Sequence, residues 1–349
     1  MRNIRILAAA GMIASSFGPA LAQDLPSQSF KVVGIASSIP VAIYDEAPFW
    51  REELPKASGG KITAELTPLD QMGVDPASML RLLRLGVMDF AGIDITTMAS
   101  DDATFEGCDL AGITTDADLA REACDSYRDV LRGRLAANWN AELLAIGAST
   151  PQVFWCRDDV DEISDLAGKK IRVFNNTLRD FVEGLGATSV SIAFSEVVPA
   201  LNNGVVDCAV TGTLSGNTAG WPEIAKSVFM LPIAWSFNAV VVNKQKWDGF
   251  DENTRTFMTT QMEQYEDRMW DTLKRSIEDA NACNVGGDGC TLGRKAKIKL
   301  NYPSAEDLAK VAEIVQSKVL PNWASRCGGN CMGEWEATIG QVVGLQAGQ

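Results

Sequence analysis

The chain has 349 residues, enough for two α/β domains of ordinary size, and a formal net charge of −14. This acidity disfavours nucleic acid and anionic membrane surfaces as partners, because both are bound through clustered Lys and Arg. The sequence contains no histidine, so Ser-His-Asp and Cys-His catalytic arrangements are excluded. Carboxylate-only catalysis stays open, but no paired-carboxylate motif stands out. We therefore expect a binding protein that uses neither a metal nor a cofactor, and not an enzyme.

The first 22 residues have the pattern of a secretory signal peptide. Arg2 and Arg5 precede an apolar run over 6–17, and residues 20–22 (ALA) form a small-x-small cleavage pattern. After this segment, no apolar run approaches the roughly 20 residues that a membrane helix needs. We expect a mature chain that begins near Gln23, resides in the periplasm and does not insert into the membrane.

Eight cysteines in an exported chain favour disulfides over metal or redox chemistry. Cys283 and Cys290 enclose a short loop, as do Cys327 and Cys331, so local bridges are possible at both places. The others must pair at longer range or stay free; they are Cys108, Cys124, Cys156 and Cys208. We expect at least two disulfides, with Cys283–Cys290 foremost, and the sequence does not choose among the remaining pairings.

Strand-like and helical patterns alternate along the first three quarters of the chain. The strand-like segments are 31–37, 61–67, 90–95, 142–148, 170–174 and 207–212. This alternation is typical of helices packed on mostly parallel sheets. Apolar residues at three- and four-residue intervals then predict one helix over 251–282, about 45 Å long, which exceeds the needs of one small domain. A further helix is predicted over 304–324, with Ser304 as its N-cap and Asp307 completing a capping box.

Two segments, 81–95 and 198–212, share one skeleton. The matching positions are Gly86, Asp89 and Ala91 in the first copy and Gly204, Asp207 and Ala209 in the second. Each copy has the pattern of a helix that ends at a glycine and is followed by a buried strand. The repeat predicts two similar lobes, and the ends of the two strands would then line a shared cleft.

The segments DLAGKKIRVFNN (165–176) and GLGATSVSIAFSEVVPALNNGVVD (184–207) carry a family resemblance. Here the chain resembles the periplasmic receptors of tripartite ATP-independent periplasmic (TRAP) transporters, of the dicarboxylate-receptor type. Further agreement at 58–73, 84–92 and 240–250 extends the resemblance over most of the mature chain. It implies an α/β fold of two lobes joined by hinge strands, with a long helix spanning both lobes. It also implies lobe closure around a small organic acid, which is delivered unchanged to the TRAP membrane subunits.

We therefore predict four parts of the chain. They are a signal peptide at 1–22, a first α/β lobe with the spanning helix at 23–148 and 240–285, a second α/β lobe at 149–239, and a C-terminal helical segment packing on the lobes at 286–349.

Arg172 is the predicted carboxylate anchor. It lies between Ile171 and Val173 on an otherwise apolar strand, and a guanidinium group matches a carboxylate with two parallel hydrogen bonds. The resemblance implies the same role, because the arginine of the family's KIRV strand binds the substrate carboxylate in this way. The alternative is an arginine that pairs with a protein carboxylate or with solvent.

The resemblance implies further cleft residues. Phe194 matches an aromatic residue that packs on the ligand, with ordinary core packing as the alternative. Asp94 and Asp75 fall at polar positions of the first-lobe wall, where they would accept hydrogen bonds unless they simply lie in solvated loops. The chain departs from the family pattern at Gln152, where a second arginine often stands, and at Thr211, where an asparagine often assists the carboxylate.

These departures leave one evident cation, which favours a monocarboxylate over a dicarboxylate or sugar acid. Thr213 is a further candidate donor, and Trp155, Trp235 and Phe237 are candidate cover for an apolar ligand body, with core packing as the alternative. Burying one ring contributes about 2–3 kcal/mol, comparable to a charged hydrogen bond at about 1.5–3 kcal/mol. A monocarboxylate with an apolar or aromatic body is thus favoured. A short 2-keto or hydroxy acid, or a sensory binding protein with the same pocket, is the alternative.

Overall fold

A computed structural model of the protein describes residues 25–347, and the predicted signal peptide lies outside this range. The strands are β1 Gln28–Gly34, β2 Ile62–Pro68, β3 Phe90–Asp94, β4 Ala141–Ala148, β5 Gln152–Cys156, β6 Lys170–Val173, β7 Thr188–Ser191, β8 Cys208–Gly212, β9 Ser227–Ala234, β10 Phe237–Asn243 and β11 Lys299–Asn301. The α-helices are α1 Leu54–Ala57, α2 Leu69–Met72, α3 Met79–Arg84, α4 Ala117–Trp139, α5 Asn176–Gly184, α6 Val197–Asn202, α7 Thr213–Thr218, α8 Lys244–Asp248, α9 Glu252–Val285, α10 Ala305–Ile314, α11 Leu320–Cys327, α12 Gly329–Glu336 and α13 Ile339–Val343.

The strands form two sheets, and each sheet is the centre of one α/β lobe. Strand order is β2-β1-β3-β10-β4 in the first sheet and β11-β9-β5-β8-β6-β7 in the second. Within the first sheet β1 is parallel to β2 and β3, while β10 is antiparallel to β3 and β4. Within the second, β6 is parallel to β7 and β8, while β5 is antiparallel to β8 and β9. The sheets are mixed because β5 and β10 are each entered from the other lobe.

Two short crossings join the sheets. Residues 149–151 link β4 to β5, and residues 235–236 link β9 to β10. The N–H of Ser149 donates to the carbonyls of Trp235 (3.0 Å) and Ser236 (3.2 Å), so the two crossings are hydrogen-bonded to each other. Ser236 has φ of 51°, a left-handed conformation that is uncommon for a residue with a Cβ atom. These crossings are the hinge strands of the two-lobe fold.

The strand positions can be compared with the predicted boundaries between the lobes. Strands of the first sheet fall at 28–148 and 237–243, and those of the second fall at 152–234 and 299–301. The first crossing begins at the predicted boundary after residue 148, whereas the second precedes the predicted change at residue 240. The segment 286–349, predicted to be helical, also contributes β11 to an edge of the second sheet.

The long helix α9 spans both lobes. It has 34 residues, about 50 Å, and runs from the N-cap Asp251 to Gly286, where φ is 78°. It packs on β4 of the first sheet and, further along, on α7 and β11 of the second lobe. The helix predicted over 251–282 is thereby confirmed and extends slightly further. The capping box of Ser304 and Asp307 is also present at the start of α10.

The repeated segments adopt the same local structure in both lobes. Gly86 and Gly204 both have φ of 71°, which a glycine adopts without steric cost. The side chain of Asp89 accepts a hydrogen bond from a backbone N–H of β1, and that of Asp207 accepts one from β6, each at 2.8 Å. The repeat therefore sets β3 and β8 in equivalent positions, and the carboxyl ends of both strands point to the space between the lobes.

Disulfides join all eight cysteines. The pairs are Cys108–Cys124, Cys156–Cys208, Cys283–Cys290 and Cys327–Cys331. Both predicted local bridges are present. The bridge between Cys156 and Cys208 connects directly opposite residues of the antiparallel strands β5 and β8, so it ties together the two central strands of the second sheet.

Candidate functional site: a cleft between the lobes

A cavity of about 490 Å³ lies between the two sheets. This volume is within the usual range for small-molecule sites, about 300–1,000 Å³. Its walls come from the end of β3 and the segment around α2 in the first lobe, from both crossings, and from β6, β8 and residues 191–194 of the second lobe. Six of the sequence-predicted site residues line it: Arg172, Gln152, Thr211, Phe194, Asp94 and Asp75.

Arg172 is held in a fixed position on the second-lobe wall. It is 3% exposed, its Nε donates to the carbonyl of Ile192 and its Nη1 to the carbonyl of Val210, both at 2.9 Å. Within residues 25–347 the guanidinium forms no ion pair with a protein carboxylate. The remaining N–H groups are therefore available to an anion in the cavity.

The burial of Arg172 has an electrostatic cost. Burial lowers its pKa to about 9, although the negative charge of Asp94 acts in the opposite direction. A buried charge without a close partner is expensive, and a partner that reaches it recovers part of that free energy. The arrangement is suited to binding an anion from the cavity.

Two aromatic rings flank the guanidinium. Its Cζ lies 5.2 Å from the ring centroid of Phe174 and 6.0 Å from that of Phe194. Phe194 in turn packs against Trp221 at a centroid distance of 5.5 Å. Sequence analysis missed Phe174, although it follows Arg172 by two positions and alternate residues of a strand share a face. The rings give the guanidinium group apolar surroundings.

Neutral polar groups line the hinge side of the cavity. The Nε2 of Gln152 donates one hydrogen to the carbonyl of Thr150 at 2.9 Å, and the second hydrogen of the same amide is left to donate to a ligand. Thr211 follows Val210, whose carbonyl holds Arg172. Sequence analysis also missed Ser149, Ser236 and Asn238, because the crossings that bring them together are not apparent from local patterns. These side chains offer hydrogen bonds without adding a second cation.

The two predicted acidic residues have different settings. Asp94 is the last residue of β3 and is partly buried. Its Oδ1 accepts hydrogen bonds from the N–H (2.9 Å) and the hydroxyl (2.7 Å) of Thr96. Its Oδ2 accepts a hydrogen bond from the hydroxyl of Ser236 (2.7 Å). Burial raises the pKa of Asp94, opposed by these hydrogen bonds and by the charge of Arg172. Asp75 is exposed at the rim, where it caps a short 3₁₀ turn by accepting from the N–H of Ala77 at 3.0 Å.

The structure places the other four candidates away from the cavity lining. Trp155 comes three positions after Gln152 on β5, so it lies on the opposite face and packs edge-on against Trp221. Phe237 precedes Asn238 on β10 and likewise faces away, toward Trp270.

Trp235 and Thr213 are also turned into the protein interior. The indole N–H of Trp235 donates to the carbonyl of Thr114 at 3.3 Å. Thr213 begins α7, and its hydroxyl is buried with no hydrogen-bond partner in the described part of the chain. Neither residue reaches the cavity, so neither enters the site that we propose.

Among the described residues, Asp279, Cys283 and Cys290 form the one group with the spacing of metal ligands. The two sulfurs are joined in a disulfide, and the carboxylate of Asp279 accepts hydrogen bonds from Thr291 and Leu292. The group is thus a structural junction at the end of α9. No helix in residues 25–347 has both the length and the apolar character needed to cross a membrane.

Comparison with known proteins places this cleft in a family context. A C4-dicarboxylate-binding periplasmic protein of Rhodobacter capsulatus is 27% identical over 240 residues, which cover 66% of this chain and 69% of that protein. A Bordetella pertussis extracytoplasmic solute receptor binding pyroglutamic acid superposes with a TM-score of 0.78 at 21% identity, covering 90% of this chain and 99% of the other. A sugar acid binding protein of Advenella mimigardefordensis, in complex with galactonate, has a TM-score of 0.79 at 17% identity and covers 91% and 100%.

At these identities the two solved structures show a shared two-lobe fold. The predicted family resemblance is confirmed by the sequence match and by the family model. The family model for bacterial extracellular solute-binding proteins, family 7, matches residues 39–316. Since that match covers most of the chain, this protein belongs to the bacterial extracellular solute-binding proteins of family 7.

Proposed function

We propose that this protein is the periplasmic receptor of a TRAP transporter and that it binds a monocarboxylate with an apolar or aromatic body by lobe closure. The observation that carries the proposal is Arg172, buried between the lobes, fixed by two backbone carbonyls and without an ion-pair partner among the described residues. The ligand leaves unchanged, so the protein is a receptor and not an enzyme.

In this proposal Arg172 orients the carboxylate with two parallel hydrogen bonds. Gln152 and Thr211 supply neutral donors beside it, and Phe194 covers the ligand body together with Phe174. Apolar side chains of the first lobe, among them Ile35, Ile39, Leu69, Met79 and Ile93, complete the cavity wall. These residues favour an apolar body over a short 2-keto or hydroxy acid, which would leave much of the 490 Å³ unfilled.

Charge in the cavity supports a single carboxylate. Arg172 is the only basic side chain among the described lining residues, whereas Asp94 and Asp75 are acidic. A second ligand carboxylate would lose hydration without gaining a counter-charge, and burying a poorly paired charge costs several kcal/mol. Dicarboxylates are therefore expected to bind weakly. Sugar acids such as sialic and uronic acids have one carboxylate, and they are expected to bind weakly because their many hydroxyl groups would lose hydration against the apolar part of the cavity wall.

Secretion through the predicted signal peptide would place the receptor in the periplasm, where closed protein would meet the TRAP membrane subunits. A ligand stabilises the closed state only by the difference between its affinities for the closed and open states. Since Arg172 lies on the second-lobe wall and Ile35 and Met79 on the first, a ligand that touches both walls has this differential affinity.

A thermal-shift panel at equal ligand concentrations tests the proposal, with native mass spectrometry of protein purified without added ligand as a second readout. Benzoate- and indole-type acids and branched aliphatic acids are expected to raise the melting temperature once their concentration passes the dissociation constant. Succinate, malate, sialic and uronic acids are expected to give little shift. The largest shift from a dicarboxylate or sugar acid, with none from the monocarboxylates, would contradict the ligand class.

A further inference from the structure

We propose that Asp94 is a second ligand-binding group and that the cavity takes a zwitterion, an amino or imino acid whose carboxylate binds Arg172 and whose protonated nitrogen binds Asp94. This inference deepens the proposed function and rests on it. It adds a cationic group to the ligand and assigns the atom of the protein that receives it.

The first argument is the charge balance of the cavity. Arg172 on β6 and Asp94 at the end of β3 stand on opposite lobes, and both line the cavity. The two groups influence each other's ionisation, yet they form no ion pair within 4.0 Å. Two opposite charges that share a cavity without touching fit a ligand that carries the complementary pair.

The second argument is the hydrogen-bonding capacity of Asp94. An ionised carboxylate has about four acceptor sites. The Oδ1 atom already accepts two hydrogen bonds from Thr96, while Oδ2 accepts one, from the hydroxyl of Ser236. The Oδ2 atom thus has capacity for one more donor. An ionised carboxylate can only accept hydrogen bonds. The remaining acceptor position of Oδ2 therefore fits an ammonium or N–H group, whereas a second carboxylate would be repelled.

The third argument is electrostatic. Burial acts against the charged form of Asp94, and the distant guanidinium compensates only in part. A positive nitrogen in hydrogen-bonding range would compensate far more, because charge-assisted hydrogen bonds are about twice as strong as neutral ones. The exposed carboxylate of Asp75 cannot do the same, since solvent and the N–H of Ala77 already satisfy it.

The geometry also connects Asp94 to both lobes. Thr96, which donates to Asp94, accepts a hydrogen bond from the side-chain amide of Asn175 in the second lobe at 3.3 Å. Ser236, the other donor, lies in the crossing between β9 and β10. A ligand nitrogen on Asp94 would therefore bind at a point where the first lobe, the second lobe and a hinge strand already meet.

The experiment uses ligands of one body that differ in one group: L-phenylalanine, L-phenyllactate and 3-phenylpropionate, with L-leucine and 4-methylpentanoate as a second series. Calorimetry on the wild-type protein at pH 7 is expected to give at least tenfold tighter binding for the amino acid than for the acid without nitrogen. Asp94→Asn is expected to reduce this preference to less than threefold. Asp101→Asn is the matched control, because Asp101 is an exposed aspartate at the other end of the 3₁₀ segment that Asp94 caps and lies outside the cavity lining; this variant is expected to keep the preference.

Asparagine is isosteric and can still accept from Thr96, but the wild-type comparison stands even if that variant fails to fold. Binding of the nitrogen-free acids as tight as that of the amino acids would overturn the zwitterion proposal and leave the carboxylate receptor intact. A preference for phenyllactate over phenylalanine would assign Asp94 to a hydroxyl and overturn it as well. Failure of every carboxylate to bind would overturn the proposed function together with it.

Discussion

Replacement of Arg172 by lysine tests the anion site most directly. Lysine keeps the positive charge, but its single nitrogen cannot reach the carbonyls of Ile192 and Val210 and still present two parallel donors to a carboxylate. We expect at least a tenfold loss of affinity, about 1.4 kcal/mol. One carbonyl left without a partner costs a further ~1–3 kcal/mol of stability, so the unliganded variant should also unfold at lower urea concentration.

The measurement is calorimetric titration with the tightest carboxylate of the thermal-shift panel, beside urea unfolding of the unliganded proteins. Arg157→Lys is the matched control: this arginine follows β5 in the same lobe, is partly exposed and lies beside Gly204, outside the cavity lining. Its affinity should equal that of the wild type. A folded Arg172→Lys protein with unchanged affinity would remove Arg172 from the site.

Further predictions concern stability and closure. Replacing both Cys156 and Cys208 by serine removes a bridge with a sequence separation of 52 residues. Because the unfolded chain gains conformational entropy, we expect the free energy of unfolding, measured in urea, to fall by about 4 kcal/mol. An unchanged midpoint of urea unfolding would contradict this prediction. Burial raises the pKa of Asp109 from 3.8 to about 7, so the native state keeps a proton that the unfolded chain releases, and stability falls as pH rises from about 4 to 7. Asp109→Asn should lessen the fall of the free energy of unfolding with pH by up to about 1.4 kcal/mol per pH unit, as measured by urea unfolding at several pH values. An equal pH dependence in both proteins would show that Asp109 is not the group responsible. The hydroxyl of Tyr44, in the first lobe, donates to the carbonyl of Leu292 in the loop after α9, and Arg294 of the same loop is hydrogen-bonded to Asn217 on α7 of the second lobe. Tyr44→Phe removes this connection between the lobes and should speed ligand dissociation several-fold in stopped-flow displacement, whereas an equal rate would show that the contact does not stabilise the liganded state.

Local patterns sufficed where a feature depends on neighbours in the chain. The apolar periodicity predicted α9, the capping box predicted the start of α10, and the apolar flanks of Arg172 predicted its inward position. The alternation of side chains along a strand also predicts that Trp155 and Phe237 face away from the cavity. Trp155 is three positions from Gln152 and Phe237 is one position from Asn238, so each lies on the opposite face of its strand from a lining residue.

Features that depend on the crossings between the lobes were not predictable in this way. Ser149, Ser236 and Asn238 are brought together by a change of sheet. The local sequence pattern does not mark β10 as a strand of the first lobe; the prediction that 240–285 belongs to that lobe came from the family resemblance. The pairing of Cys156 with Cys208 is equally non-local, because it depends on β5 lying antiparallel to β8. Contacts of this kind are set by topology, which a single sequence does not specify through periodicity.

The hinge and the cleft share their hydrogen bonds, and Ser236 is the residue that joins them. Its N–H donates to the buried carboxylate of Asp109 (2.9 Å) and its hydroxyl donates to Asp94 in the cavity wall (2.7 Å). These bonds hold a left-handed backbone that costs a residue with a Cβ atom about 1–2 kcal/mol. A group that binds Asp94 therefore acts on a carboxylate that also holds the side chain of Ser236 in the second crossing. Since Thr96 links that carboxylate to Asn175 of the other lobe, occupancy of the cavity and the relative position of the lobes depend on one connected set of contacts.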